Sequence, residues 1–122
     1  MTTHPKTNVT DIEVALADLF GVRDHLIVPN VSWGLLNHEA DMLIIRPSGA
    51  ALEVEIKISV SDLKRDALKR HGHRDNRIKH LYFAVPEEIL EKALPHIPED
   101  AGVIVVYARE YNGALYHRAC HH

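Results

Sequence analysis

The 122-residue chain predicts a single α/β domain with a mixed sheet covered by helices, and three observations lead there. Its apolar positions alternate between helical and strand spacing. Two strand-like runs flank the turn sequence Pro47-Ser48-Gly49. The order of elements is helix, three strands, helix, strand, helix, strand, with one further strand-like run at the end. A chain of this length buries enough surface for one core and not two.

Ile12, Ala15, Leu16, Leu19 and Phe20 recur at helical spacing behind the capping candidates of Asn8-Val9-Thr10-Asp11, which predicts a helix over 11–20 stopped by Gly21. Residues 26–33 are short, apolar and β-branched, and read as a strand. Strands follow over 40–46 and 50–58, with Gly49 in the position of a three-residue hairpin loop that needs a left-handed backbone. Ser61 and Asp62 are expected to cap a helix over 62–71, ended by Gly72, and Ser59 just past Lys57 reads as a further cap for it or as a phosphate contact, with capping the favoured role. A strand over 80–85 stops at Pro86, and a short helix over 87–94 is confined by Pro86, Pro95 and Pro98. Residues 102–107 form a continuous apolar strand expected to be buried on both faces, and 115–117 an edge strand after Asn112-Gly113. Residues 1–10 and 118–122 are expected to be loose tails of one domain spanning 1–122.

Apolar runs such as 42–45 and 103–107 are too short to cross a bilayer, and the first ten residues lack the apolar stretch of a signal peptide. A cytoplasmic protein is expected. The single cysteine, Cys120, excludes an internal disulfide.

The net charge of −3 is unevenly spread. Residues 57–79 hold eight basic side chains against three acidic ones, a local charge of +5 that leaves −8 elsewhere. Such segregation suits a phosphate-facing surface on an otherwise acidic domain, and it suits an ordinary solvated helix face as well. Lys64, Arg65, Lys69, Arg70 and Arg74 are the candidate phosphate contacts.

If Pro47-Ser48-Gly49 is the whole loop, Arg46 pairs with Ala50, and counting outward sets Asp41 opposite Glu55. Directly opposed residues have Cβ atoms about 4.5–5.5 Å apart, close enough for two carboxylates to hold one hard cation. Period-two alternation adds Glu53 and Lys57 to that face and turns Val54, Ile56 and Ile58 toward the core. Adjacent carboxylates repel, and a cation or a proton between them relieves the conflict. Mg²⁺, for which Mn²⁺ can substitute, accepts a few carboxylates and keeps waters and phosphate oxygens as its other ligands, which suits phosphodiester cleavage. Lys57 is placed to act on the attacking water or on charge developing at phosphorus.

An acidic residue on one hairpin strand and Glu-x-Lys on the next, here Asp41 and Glu55-Ile56-Lys57, resemble the PD-(D/E)XK nuclease-like superfamily. Ala40 stands where the superfamily's name has proline. More narrowly, Ala40-Asp41, Glu55 through Ser59, Asp62, Tyr82 through Pro86 and Pro98 through Val105 resemble the MmcB-like DNA-repair proteins, over roughly residues 39–107. The resemblance implies a restriction-endonuclease-like fold and a Mg²⁺-dependent deoxyribonuclease acting in DNA repair or mobile-DNA processing. Asp41 and Glu55 would be its metal ligands and Lys57 its catalytic base or charge stabiliser. A first-helix glutamate often completes that family's site, and Glu13 holds the corresponding place. Many small nucleases pair to cut both strands, so a homodimer is compatible with it. The alternative is a DNA-binding module that keeps the fold and does not cut. His117, Cys120, His121 and His122 present soft-metal ligands, but ligands crowded at a chain end make a poor rigid site.

Overall fold

Asn8 opens the first helix, α1 (Val9–Phe20), by a reciprocal exchange: its side chain accepts from the Asp11 N–H (2.8 Å), and the Asp11 carboxylate accepts from the Asn8 N–H (2.9 Å). In the computed structural model, which describes residues 7–31, 40–67 and 77–122, α1 buries Ile12, Ala15 and Leu16 and ends at Gly21. The chain continues through β1 (Leu26–Val31), β2 (Ala40–Ile45), β3 (Ala51–Ile56), α2 (Val60–Ala67) and β4 (Ile78–Pro86). A short α3 (Leu90–Ala93) between two 3-10 turns, β5 (Gly102–Tyr111) and β6 (Ala114–His121) complete it.

The six strands lie side by side in chain order. β1–β2, β2–β3 and β5–β6 pair antiparallel, the last two across tight turns, whereas the helical connections through α2 and α3 make β3–β4–β5 parallel. At the first hairpin, Gly49 takes φ +89° and donates its N–H to the Arg46 carbonyl at 2.8 Å. At the last, Asn112 and Gly113 both have positive φ, 50° and 79°, in the two-residue turn whose twist matches paired strands. Pro29, with no N–H to give a second neighbour, sits on the edge strand β1.

Helices cover both sides of the sheet. Against α1 lie Met42, Ile44, Leu52, Val54, Ile56, Ala84, Ile104 and Val106, all buried. On the reverse, α2 and α3 place Leu63 and Ala93 on Phe83 and Val85. This mixed sheet flanked by helices is consistent with the restriction-endonuclease-like fold. Ile104, Val105 and Val106 are buried in succession, as a strand covered on both faces requires.

Several boundaries differ from the sequence reading. The second helix starts earlier than residue 62 because, of the three capping candidates, Ser59 is the one that caps it, as its place just before the helix suggests: the Ser59 hydroxyl accepts the Asp62 N–H at 3.2 Å. Its extent beyond residue 67 and the Gly72 stop fall outside the described residues, as do residues 32 and 33 of the first strand. The 87–94 helix is broken into 3-10 and α turns, with Pro95 in the last of them. Residues 118–121 are not a loose tail, since Arg118, Ala119, Cys120 and His121 pair with Tyr107, Val106, Val105 and Ile104. At the other end Thr7 is buried, Asn8 is the cap, and Val9 and Thr10 are already helical. Among the described residues no helix is long and apolar enough to cross a membrane.

Candidate functional site

The β2–β3 ladder has the register that the three-residue turn dictates: Met42 pairs with Val54, Leu43 with Glu53, Ile44 with Leu52 and Ile45 with Ala51. One step outward sets Asp41 opposite Glu55. Regular pairing would next send the Ile56 N–H to the Ala40 carbonyl, but it goes instead to Asp41 Oδ2 at 2.8 Å. The two strands part at this point, and the Asp41 carboxylate closes the gap with one oxygen. Asp41 is thereby fixed against the backbone that carries Glu55.

Glu53 and Glu55 are 3% and 8% exposed, as deeply placed as their apolar neighbours. Burial disfavours the charged form of Glu55, a hydrogen bond with Glu53 favours the protonated one, and the charges of Asp41 and Glu53 add to the effect. Lys57 opposes them, yet the Glu55 carboxyl is pushed up to about 10. At neutral pH Glu55 is therefore a protonated carboxyl donating to Glu53.

Lys57 leaves the end of β3 with its backbone N–H on the Ala84 carbonyl (3.0 Å). Its Nζ lies 3.3 Å from Asp66 Oδ1 and 3.8 Å from Glu55 Oε2. Asp66 is buried on α2, three residues past the buried Leu63, so both point from the helix toward the sheet. Sequence reasoning missed Asp66 by counting it among the acids of a basic stretch. The signal that finds it is the i, i+3 spacing from Leu63. Glu53 was placed on the correct strand face but not among the candidate ligands, although alternation already made it a neighbour of Glu55.

Glu13 is not brought to these residues. It is half-buried on α1, which packs on the Val54 side of the sheet, whereas Glu53 and Glu55 point to the other side. Among the described residues no group of three or more His, Cys, Asp or Glu is placed to hold a metal ion. Lys64 and Arg65 are exposed on α2, Arg65 paired with Asp62. Lys69, Arg70 and Arg74 fall outside the described residues. The C-terminal histidines do not converge with Cys120: His117 Nδ1 faces Asp11 at 3.7 Å, the His121 ring packs on Phe20 and Tyr82, and Cys120 is exposed.

Comparison with known proteins gives one family and one fold. The family model described as DNA repair protein MmcB-like matches residues 4–122. No curated protein matches the chain. Among solved structures, the SPO1766 protein of unknown function from Silicibacter pomeroyi is similar with a TM-score of 0.66 at 20% identity, over 99% of this chain and 71% of that one. That likeness is one of fold alone.

Proposed function

The chain belongs to the MmcB-like family of DNA repair proteins, and on that premise we propose that it is a divalent-cation-dependent deoxyribonuclease that hydrolyses phosphodiester bonds. The observation that carries this reading is the meeting, where β2 and β3 part, of Asp41, the buried Glu55 and the Lys57 ammonium. This is the Asp and Glu-x-Lys pattern of PD-(D/E)XK nucleases.

The donor set fits a hard cation, because burial and the neighbouring Asp41 and Glu53 carboxyls hold a proton on Glu55 even with Lys57 beside it. Asp41 and Glu55 would hold Mg²⁺ or Mn²⁺; Glu13, on the other side of the sheet, is not needed for the reading. When bound, such an ion lowers the pKa of its water and offsets phosphate charge. Asp41 keeps its place through the Ile56 N–H. Glu55 would have to give up its proton to become a ligand, so cation binding would be coupled to proton release. Lys57 supplies positive charge to the phosphoryl oxygens as negative charge builds there. Lys64 and Arg65, with Lys69, Arg70 and Arg74, would hold the DNA backbone through phosphate contacts.

One observation favours the second reading, a DNA-binding module that does not cut: without a cation the Glu55–Glu53 hydrogen bond already satisfies the pair. Purified protein incubated with labelled single-stranded, duplex and branched DNA in Mg²⁺, Mn²⁺ or EDTA separates the two. The nuclease reading expects cleavage in either metal and none in EDTA. DNA binding with no product in either metal establishes the module instead.

A further inference from the structure

We propose that Asp66 is a positioning residue that holds the Lys57 ammonium in its working place, an assignment that rests on the nuclease reading. A lysine carries its charge on a long flexible stem and gives up on the order of 2 kcal/mol of rotamer freedom when fixed. Something must therefore hold it. Of the two carboxyls near Nζ, Asp66 is the closer, 3.3 Å against 3.8 Å for Glu55. Both side chains of the Lys57–Asp66 pair are largely out of solvent, at 14% and 10% exposure. That separates it from surface ion pairs, which contribute little.

Asp66 is also delivered by a well-fixed element. The Ser59 cap starts α2 two residues after Lys57, and Leu63 locks the helix against Phe83 and Val85. The arrangement divides the labour between two acids. Glu55 is the one that would turn to a cation, and a carboxyl engaged there is a poor tether for a lysine. Asp66 stands outside the proposed ligand pair, with its Oδ1 3.3 Å from the Lys57 ammonium. The role assigned to Asp66 acts through Lys57, so its loss is expected to misplace a charge and to leave the proposed cation ligands in place.

The test uses wild type, Asp66→Asn, Lys57→Ala and the double variant, with cleavage rates measured at saturating DNA in Mn²⁺, DNA affinity measured in Ca²⁺, and folding followed by thermal denaturation. Misplacing a catalytic group by about 1 Å costs on the order of 100-fold, so Asp66→Asn is expected to cut about 10- to 100-fold more slowly with DNA affinity unchanged. In the Lys57→Ala background the same change is expected to cost less than about twofold, because residues acting as a unit are not additive. If Asp66→Asn does not fold, Asp66→Glu keeps the charge one methylene away and is expected to show the same non-additivity. Equal cutting by wild type and variant, or a full additional loss in the Lys57→Ala background, overturns the assignment and leaves the nuclease reading standing. No cutting by wild type overturns both.

Discussion

Alternate residues of one six-residue strand, β3, build two opposite environments. Leu52, Val54 and Ile56 close a dry core against α1, Met42 and Ile44. Glu53 and Glu55, between them in sequence, are buried as deeply on the other side, where Asp41, Lys57 and Asp66 gather at the strand end. Burial stabilises the first set by roughly 25 cal/mol per Å² of apolar surface and penalises the second, whose charges lose water. The strand shows that depth of burial does not define a core; what the buried groups find as partners does. On the proposed reading, these costly acids stand where leucine or valine would fit because the site uses them.

The comparison breaks first at the chemistry. Lys57→Ala is expected to preserve folding and most DNA affinity while slowing cleavage by at least about 100-fold, on the order of 3 kcal/mol of transition-state stabilisation. Asp41→Asn should reduce cation affinity and cleavage together, because an amide is a neutral and poorer ligand. Rates and cation affinities of both variants equal to those of wild type would remove the site from this strand end.

Stability sharpens the contrast, because neighbouring residues should respond with opposite sign. Leu52→Ala should cost about 2–5 kcal/mol in chemical denaturation, as expected for a fully buried leucine. Glu55→Gln should stabilise the cation-free protein by on the order of 1 kcal/mol at pH 7. The sign follows from proton counting. The folded state keeps a proton on Glu55 up to about 10, whereas the unfolded state releases it near the ordinary value of 4.5. Wild-type stability should therefore fall as pH rises from 4.5 toward 10, relative to Glu55→Gln, and the two should converge near pH 4. Parallel stability curves across that range would contradict the buried, protonated Glu55.

The smallest effect belongs to the helix over the polar side. Replacing Lys64 and Arg65 by alanine should weaken DNA binding across all sequences and lower the slope of log affinity against log salt by about one per lost phosphate contact. An unchanged slope would place the DNA backbone elsewhere.

Much of this was legible in the sequence because it follows from short-range rules. The Pro47-Ser48-Gly49 turn alone sets the register that puts Asp41 opposite Glu55, and period-two alternation separates Val54 from Glu55. What was not legible depends on tertiary packing. Residues 118–121 look polar enough for a tail, yet β5 continues to Tyr111 and offers them a partner edge. Asp66 looks like one more surface acid until Leu63 orients α2. Helical position also cannot say which side of a sheet a helix covers, and that decides that Glu13 lies away from Glu55.

The central claim is that the polar side of β3 is a cation site closed by a proton on Glu55. Calorimetric titration of Mn²⁺ at pH 7, run in two buffers of different protonation enthalpy, tests it most directly. Wild type should bind Mn²⁺ and release about one proton per ion, whereas Glu55→Gln should bind more weakly and release none. Failure of wild type to bind Mn²⁺, or heats that do not depend on the buffer, would contradict it.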